Sequence, residues 1–214
     1  MEENYIIKVE HLTKNFGKIK VLDDVTMNFE KHKIHGIIGR NGSGKTILMK
    51  CICGFLNPTA GSVTVSGKVV GQDVEIPKDI GVIIETPGFV TNYSGYKNLK
   101  LLASVRGKIS NEEIVSAMEL VGLAAKSKKH VGKYSLGMKQ RLGIAQAIME
   151  KPEILILDEP MNGLDNEGVH HIRNVLLDLK KDSTIILASH NREDIEVLCD
   201  SVYEMDKGVL KKIR

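Results

Sequence analysis

The run Gly39-Arg40-Asn41-Gly42-Ser43-Gly44-Lys45-Thr46 places glycines, a lysine and a hydroxyl in the order G-x-x-x-x-G-K-[ST]. Glycines let the backbone turn tightly enough for successive N–H groups to converge on phosphate oxygens. Lys45 would reach the β- and γ-phosphates, and the Thr46 hydroxyl would sit on Mg²⁺. Taken alone, the run could be a chance glycine-rich turn before a helix. Its context argues otherwise, because an apolar stretch, Ile34–Ile38, precedes it as a buried strand and residues 46–55 follow as a helix. The start of that helix adds its positive dipole end beneath the same phosphates. The sequence therefore predicts a nucleoside triphosphate site.

A second constellation follows another apolar run. Ile154-Leu155-Ile156-Leu157 ends in Asp158-Glu159-Pro160. Carboxylates at the carboxyl end of a parallel strand would meet a ligand bound there. Asp158 suits a hold on Mg²⁺ through water or from behind its direct ligands. Glu159 suits the group that orients or deprotonates an attacking water. An acidic strand exit that merely caps the sheet is the alternative, and it recedes beside a complete phosphate loop.

These residues need a frame. Residues 6–30 read as strands joined by a turn near Gly17, and 63–70 as a β-branched alternating stretch. From about residue 95 to 149 the pattern becomes helical. Ser110-Asn111-Glu112-Glu113 has capping-box spacing, with Ile114, Ala117, Met118 and Val121 on one face behind it. Strand and helix then alternate: 154–157 and Thr184–Ala188 as strands, 169–179 and 192–199 as helices. The expected fold is an α/β core interrupted by an α-helical insert.

Composition narrows the class. With 42% hydrophobic and 27% charged residues in 214, the chain can bury a full core and remain soluble. Tryptophan is absent and aromatic residues make up only 4%, which argues against stacking platforms for single-stranded nucleic acid. The net charge of +3 arises from 30 basic and 27 acidic residues that are mixed along the chain, so no nucleic-acid partner is expected. Lys128-Lys129-His130 reads as a solvated loop. Cys51, Cys53 and Cys199 give no disulfide framework and suit a reducing compartment; they read as core or boundary residues. The start, Met1-Glu2-Glu3-Asn4, is not a signal peptide, and no apolar run is long enough to span a bilayer. His11, His32, His35, His130, His170 and His171 are expected at the surface or its boundary.

At Tyr134-Ser135-Leu136-Gly137-Met138, followed by Lys139-Gln140-Arg141, the chain resembles the signature motif of ABC ATPases, usually written LSGGQ. Ser135 and Gly137 match; Tyr134, Leu136 and Met138 depart. The resemblance covers nearly the whole chain. It implies a P-loop core with an antiparallel β-subdomain and an inserted α-helical subdomain. Residues of about 1–88 and 150–214 would form the core and β-subdomain, and about 89–149 the helical subdomain. Phe16 stands where the family often has an adenine-stacking tyrosine, although a core phenylalanine is the commoner reading. Asn162-Gly163-Leu164-Asp165 looks like the segment crossing the dimer interface, and His190 matches the switch histidine on the γ-phosphate. Ser135 alone is a good N-cap residue at a helix start, which is also an anion site. In the family that site serves the opposite subunit, so two ATP molecules lie sandwiched between two chains.

One position departs from the family. Its glutamine that senses Mg²⁺ and the γ-phosphate is replaced by Glu85, in Ile83-Ile84-Glu85-Thr86-Pro87. A carboxylate offers charge and acceptors but no donor. Glu85 could bind Mg²⁺ more strongly yet repel the γ-phosphate. Together with the Tyr-Ser-Leu-Gly-Met signature, this stretch resembles the bacitracin and lantibiotic-immunity branch, which moves peptide antibiotics away from the bacterial membrane.

The resemblance thus implies an ATP-hydrolysing subunit with ATP and Mg²⁺ as ligands, working as a homodimer or heterodimer. It would lie in the cytoplasm against the inner face of the membrane, held there by separate transmembrane permease subunits, with residues 87–99 meeting them. A soluble ABC ATPase, or a nucleotide-binding scaffold uncoupled from transport, is the alternative. The repair and chromosome ATPases insert a long coiled coil, and no sustained heptad is present here.

Overall fold

The computed structural model describes residues 4–85 and 88–214. Thr86 and Pro87 of the stretch after Glu85, and the first three residues, lie outside them.

Two long strands, β1 (Tyr5–Phe16) and β2 (Ile19–Glu30), pair antiparallel around a turn at Gly17. β3 (Ile34–Ile38) leads through the phosphate loop into α1 (Lys45–Ile52). The alternating stretch at 63–70 is two strands rather than one, β4 (Ala60–Val65) and β5 (Lys68–Val69). Ser66 and Gly67 both take positive φ, +46° and +76°, the geometry of a two-residue hairpin turn. These strands form a four-stranded antiparallel sheet in the order β2-β1-β4-β5.

β6 (Ile80–Ile83) opens the second sheet's far edge. The chain then enters α2 (Gly95–Arg106), α3 (Asn111–Leu120) and α4 (Leu136–Ile148). The capping box at Ser110 is present in full, with the Ser110 hydroxyl accepting from the Glu113 N–H and the Glu113 carboxylate accepting from the Ser110 N–H. β7 (Ile154–Asp158), α5 (Asn166–Leu179), β8 (Thr184–Ala188), α6 (Arg192–Leu198), β9 (Ser201–Asp206) and β10 (Val209–Lys212) complete the chain. α5 begins three residues earlier than its apolar periodicity suggests, because Asp165 accepts a bond from the Gly168 N–H and caps it there.

The second sheet runs β10-β9-β3-β8-β7-β6 and is parallel except for the β9–β10 hairpin. Both faces of a parallel sheet are covered, so its strands read as continuous apolar runs. Alternate residues serve opposite faces. Leu155, Leu157, Ile185 and Leu187 join a core with α2 to α5, whereas Ile154, Ile156, Ile186 and Ala188 join a core with α1 and the antiparallel sheet.

His35 is not a boundary residue. It is 1% exposed, its Nδ1 lies 2.7 Å from the Ser201 hydroxyl and its Nε2 lies 2.9 Å from the Glu30 carbonyl oxygen. The three cysteines are buried and free, and burial pushes their thiols up, Cys53 and Cys199 to about 12 and Cys51 to about 11. Among the described residues no helix is long and apolar enough to cross a membrane.

Candidate functional site

The phosphate loop leaves β3 at the carboxyl edge of the parallel sheet, between β9 and β8. Gly39, Gly42 and Gly44 take φ of +152°, +78° and +116°, all in the region that side chains resist. At Gly39 a Cβ would also overlap the Met205 carbonyl oxygen of β9. Gly44 occupies the N-cap of α1 and offers no side chain, so no side-chain cap competes for the first N–H groups of that helix.

Lys45 is 7% exposed, and its ammonium donates to the carbonyl oxygens of Gly39 at 2.7 Å and Arg40 at 3.1 Å. The loop thus holds its own cation in place. Ser43 is nearly buried, and its hydroxyl has no hydrogen-bond partner. An orphaned buried donor beside converging N–H groups fits an anionic ligand.

The carboxylates of β7 face this loop across the sheet edge. The Thr46 hydroxyl donates to Asp158 Oδ2 at 2.8 Å. Among the described residues no group of three or more His, Cys, Asp or Glu side chains converges as a metal site. A hydroxyl and one carboxylate suit a cation that takes most of its shell from phosphate and water, as Mg²⁺ does. A cavity of about 360 Å³ opens over the loop, walled by residues 41–47 on one side and by Asp158 and Glu159 on the other.

Glu159 has φ of +51°, uncommon for a non-glycine residue and a form of local strain. Its N–H donates to the Ala188 carbonyl, and the Gln140 side-chain amide donates to its own carbonyl at 3.3 Å. These contacts fix the turn that carries the carboxylate. His190, just after β8, places Nδ1 2.8 Å from Glu159 Oε2. A carboxylate that is partly buried and backed by an imidazole at the rim of a phosphate-binding cavity can accept a proton from water.

Most of the other expected site residues lie outside this cluster. Gly39 and Arg40 line an adjoining cavity of about 980 Å³ together with His190. Phe16 ends β1 with 45% of its surface exposed, and Lys14 Nζ lies 5.2 Å from its ring centre. Ser135 caps α4, its hydroxyl accepting from the Met138 N–H at 3.2 Å, and it is exposed. Gly137 sits against the next loop, where a Cβ would come 2.7 Å from the Gly163 carbonyl oxygen. Neither Ser135 nor Gly137 lines the cavity over Lys45.

Glu85 is likewise held away from that cavity. Its carboxylate meets the ammonium of Lys50 at 2.7 Å, one turn along α1 from Thr46. Neither Lys50 nor Gln140 stands out in the sequence as a site residue. For Lys50 the available signal is its i+4 spacing from Thr46; for Gln140 it is its place on the helix that Ser135 starts.

A family model described as ABC transporter matches residues 22–162. An uncharacterized ABC transporter ATP-binding protein of Bacillus subtilis (strain 168), YybJ, is 45% identical over 96% of this chain and 95% of its own length. The bacitracin transport ATP-binding protein BcrA of Enterococcus faecalis is 44% identical over 96% of this chain and 68% of its own. Among solved structures, cbiO1 from Clostridium perfringens, part of the ABC transporter complex cbiONQ, superposes with a TM-score of 0.83 at 28% identity. That match covers 98% of this chain and 88% of cbiO1.

Proposed function

The chain belongs to the ABC transporter family as an ATP-binding subunit, and from that premise we propose which of its residues bind and cleave ATP and what its transporter carries. Members of this family bind ATP with Mg²⁺, hydrolyse it, and work as dimers beside separate membrane permease subunits; this chain is such an ATPase.

In the proposed assignment, the N–H groups of residues 42–46 and the Ser43 hydroxyl cradle the phosphates. Lys45 exchanges its bonds to Gly39 and Arg40 for phosphate oxygens. Thr46 and Asp158 would hold Mg²⁺ between them, the Thr46 hydroxyl offering the ion a lone pair while its proton stays directed at Asp158. When bound, Mg²⁺ neutralises charge developing on the phosphate oxygens. Glu159 accepts the proton of the attacking water, and His190 holds its carboxylate in place. Ser135 and Gly137 serve the site of the facing subunit, and Phe16 packs on the adenine. Residues 89–149 form the helical subdomain that meets the permease.

The observation that carries this reading is the Thr46–Asp158 contact at the cavity wall, with Glu159 beside it and His190 backing the Glu159 carboxylate. We place the chain in the cytoplasm, with peptide antibiotics of the bacitracin type as the cargo. Support for that cargo comes from the 44% identity to the bacitracin transport protein and from Glu85 at the family's glutamine position.

The test is Glu159→Gln. The variant should still bind ATP and should accumulate as dimers, while phosphate release by the chain with its permease falls by about 10² to 10⁴. Normal phosphate release would remove Glu159 from this role. Cells relying on the variant should also lose tolerance to bacitracin; unchanged tolerance would exclude that cargo.

A further inference from the structure

Among the described residues, the most deeply buried ion pair lies outside the ATP cavity. Arg173, on α5, is 4% exposed, and Asp194, on α6, is 1% exposed. Charged side chains are almost never buried so fully unless paired. Arg173 Nε and Nη2 both donate to Asp194 Oδ1, at 2.9 and 2.6 Å, and Nη1 donates to Glu193 Oε1 at 2.9 Å. The other oxygen of Asp194 accepts from the Ser189 hydroxyl at 3.3 Å, and that hydroxyl accepts from the Asn191 N–H at 3.1 Å.

The network therefore grips both neighbours of His190. Ser189, 2% exposed, is bound on one side, and Asn191, which caps α6 through Glu193, on the other. Its far end is anchored in α5. That helix starts at Asp165, at the end of the loop that packs against Gly137.

A simple fastener between two helices would not need charge. Two apolar side chains would fill the same space without desolvating a guanidinium and a carboxylate, and buried pairs of this kind are often no better for stability than such replacements. What the fork supplies is direction: the planar guanidinium fixes the Asp194 carboxylate, and that carboxylate fixes the Ser189 hydroxyl.

We propose that Arg173, Asp194 and Ser189 are positioning residues for ATP cleavage, a buried relay that sets His190 against Glu159 and ties its placement to α5. The proposal rests on the roles assigned to Glu159 and His190 above.

The experiment measures steady-state ATP hydrolysis and the melting temperature of the full chain with its permease. The variants are Ser189→Ala, Arg173→Lys and Arg173→Met, with Glu159→Gln as a control. Ser189→Ala, which removes one hydroxyl, should lower kcat about tenfold with KM for ATP and melting temperature near those of the parent. Arg173→Lys keeps the charge and loses the fork, so its kcat should fall between the parent and Arg173→Met. If Ser189→Ala and Arg173→Lys keep the parental kcat, whether or not KM or melting temperature moves, the relay is only a fastener and the proposal fails. A Glu159→Gln variant that turns over normally would mark failure of the site assignment itself, while an inactive Glu159→Gln beside a fully active Ser189→Ala would sink the relay alone.

Discussion

Single residues decide how the loops around this site are held, and Glu85 is the clearest case. Its carboxylate lies against Lys50 rather than Thr46, with the Glu85 side chain 64% exposed and that of Lys50 24%. An ion pair so open to solvent contributes at most about 1 kcal/mol. Glu85→Gln should thus leave the melting temperature nearly unchanged and ATP affinity close to that of the parent. Its effect should appear in the rate at which transport stimulates hydrolysis, because the amide weakens the hold on Lys50 and supplies a donor that a carboxylate lacks. An ATP titration beside transport-linked phosphate release checks this; a large affinity loss would make Glu85 mainly a binding residue. The residue types at 39–46, 158 and 159 were readable because their chemistry is local to one loop and one strand end. The Lys50 partner was not, because it spans 35 positions and depends on how α1 packs beside β6.

At the scale of elements, legibility followed the length of the apolar run. β3 and β8 match their sequence limits because each is a short, mostly apolar run buried on both faces. The break between β4 and β5 was missed since Ser66-Gly67 is a weaker turn signal than Asn-Gly. His35 was misjudged for another reason: its partner, Ser201, is 166 positions away on the neighbouring strand. That burial has a consequence with pH. Desolvation holds the His35 pKa below its ordinary 6.5, against the opposing hydrogen bond to Glu30. The unfolded chain therefore takes up the proton first as pH drops. The stability that His35 contributes is complete above about pH 6.5 and is lost as pH falls below it, by no more than about 1.4 kcal/mol per unit. Between pH 7 and 5 the melting temperature of the parent should fall more steeply than that of His35→Gln. Parallel slopes would show that His35 carries no such linkage.

For the whole molecule, Ser135 and Gly137 lie away from their own chain's cavity, as their proposed service to the facing chain's site requires. If each site draws on both chains, two differently damaged subunits can repair one another. Lys45→Ala and a Gly137→Glu variant should each be inactive alone. Mixed in equal amounts and allowed to exchange, about half the dimers would be mixed, each with one undamaged site, so up to about a quarter of the activity should return. Phosphate release from the mixture checks this, and a mixture as silent as its components would argue against shared sites. The cradle itself is braced by β9 and the turn that follows it. The turn between β9 and β10 bonds to Ser43 through the Gly208 N–H and to Asp23 through the Gly208 carbonyl, while the Met205 carbonyl closes the space beneath Gly39. During synthesis, then, a nascent chain carries the complete glycine-rich motif through the making of both sheets before the β9–β10 turn that braces it emerges.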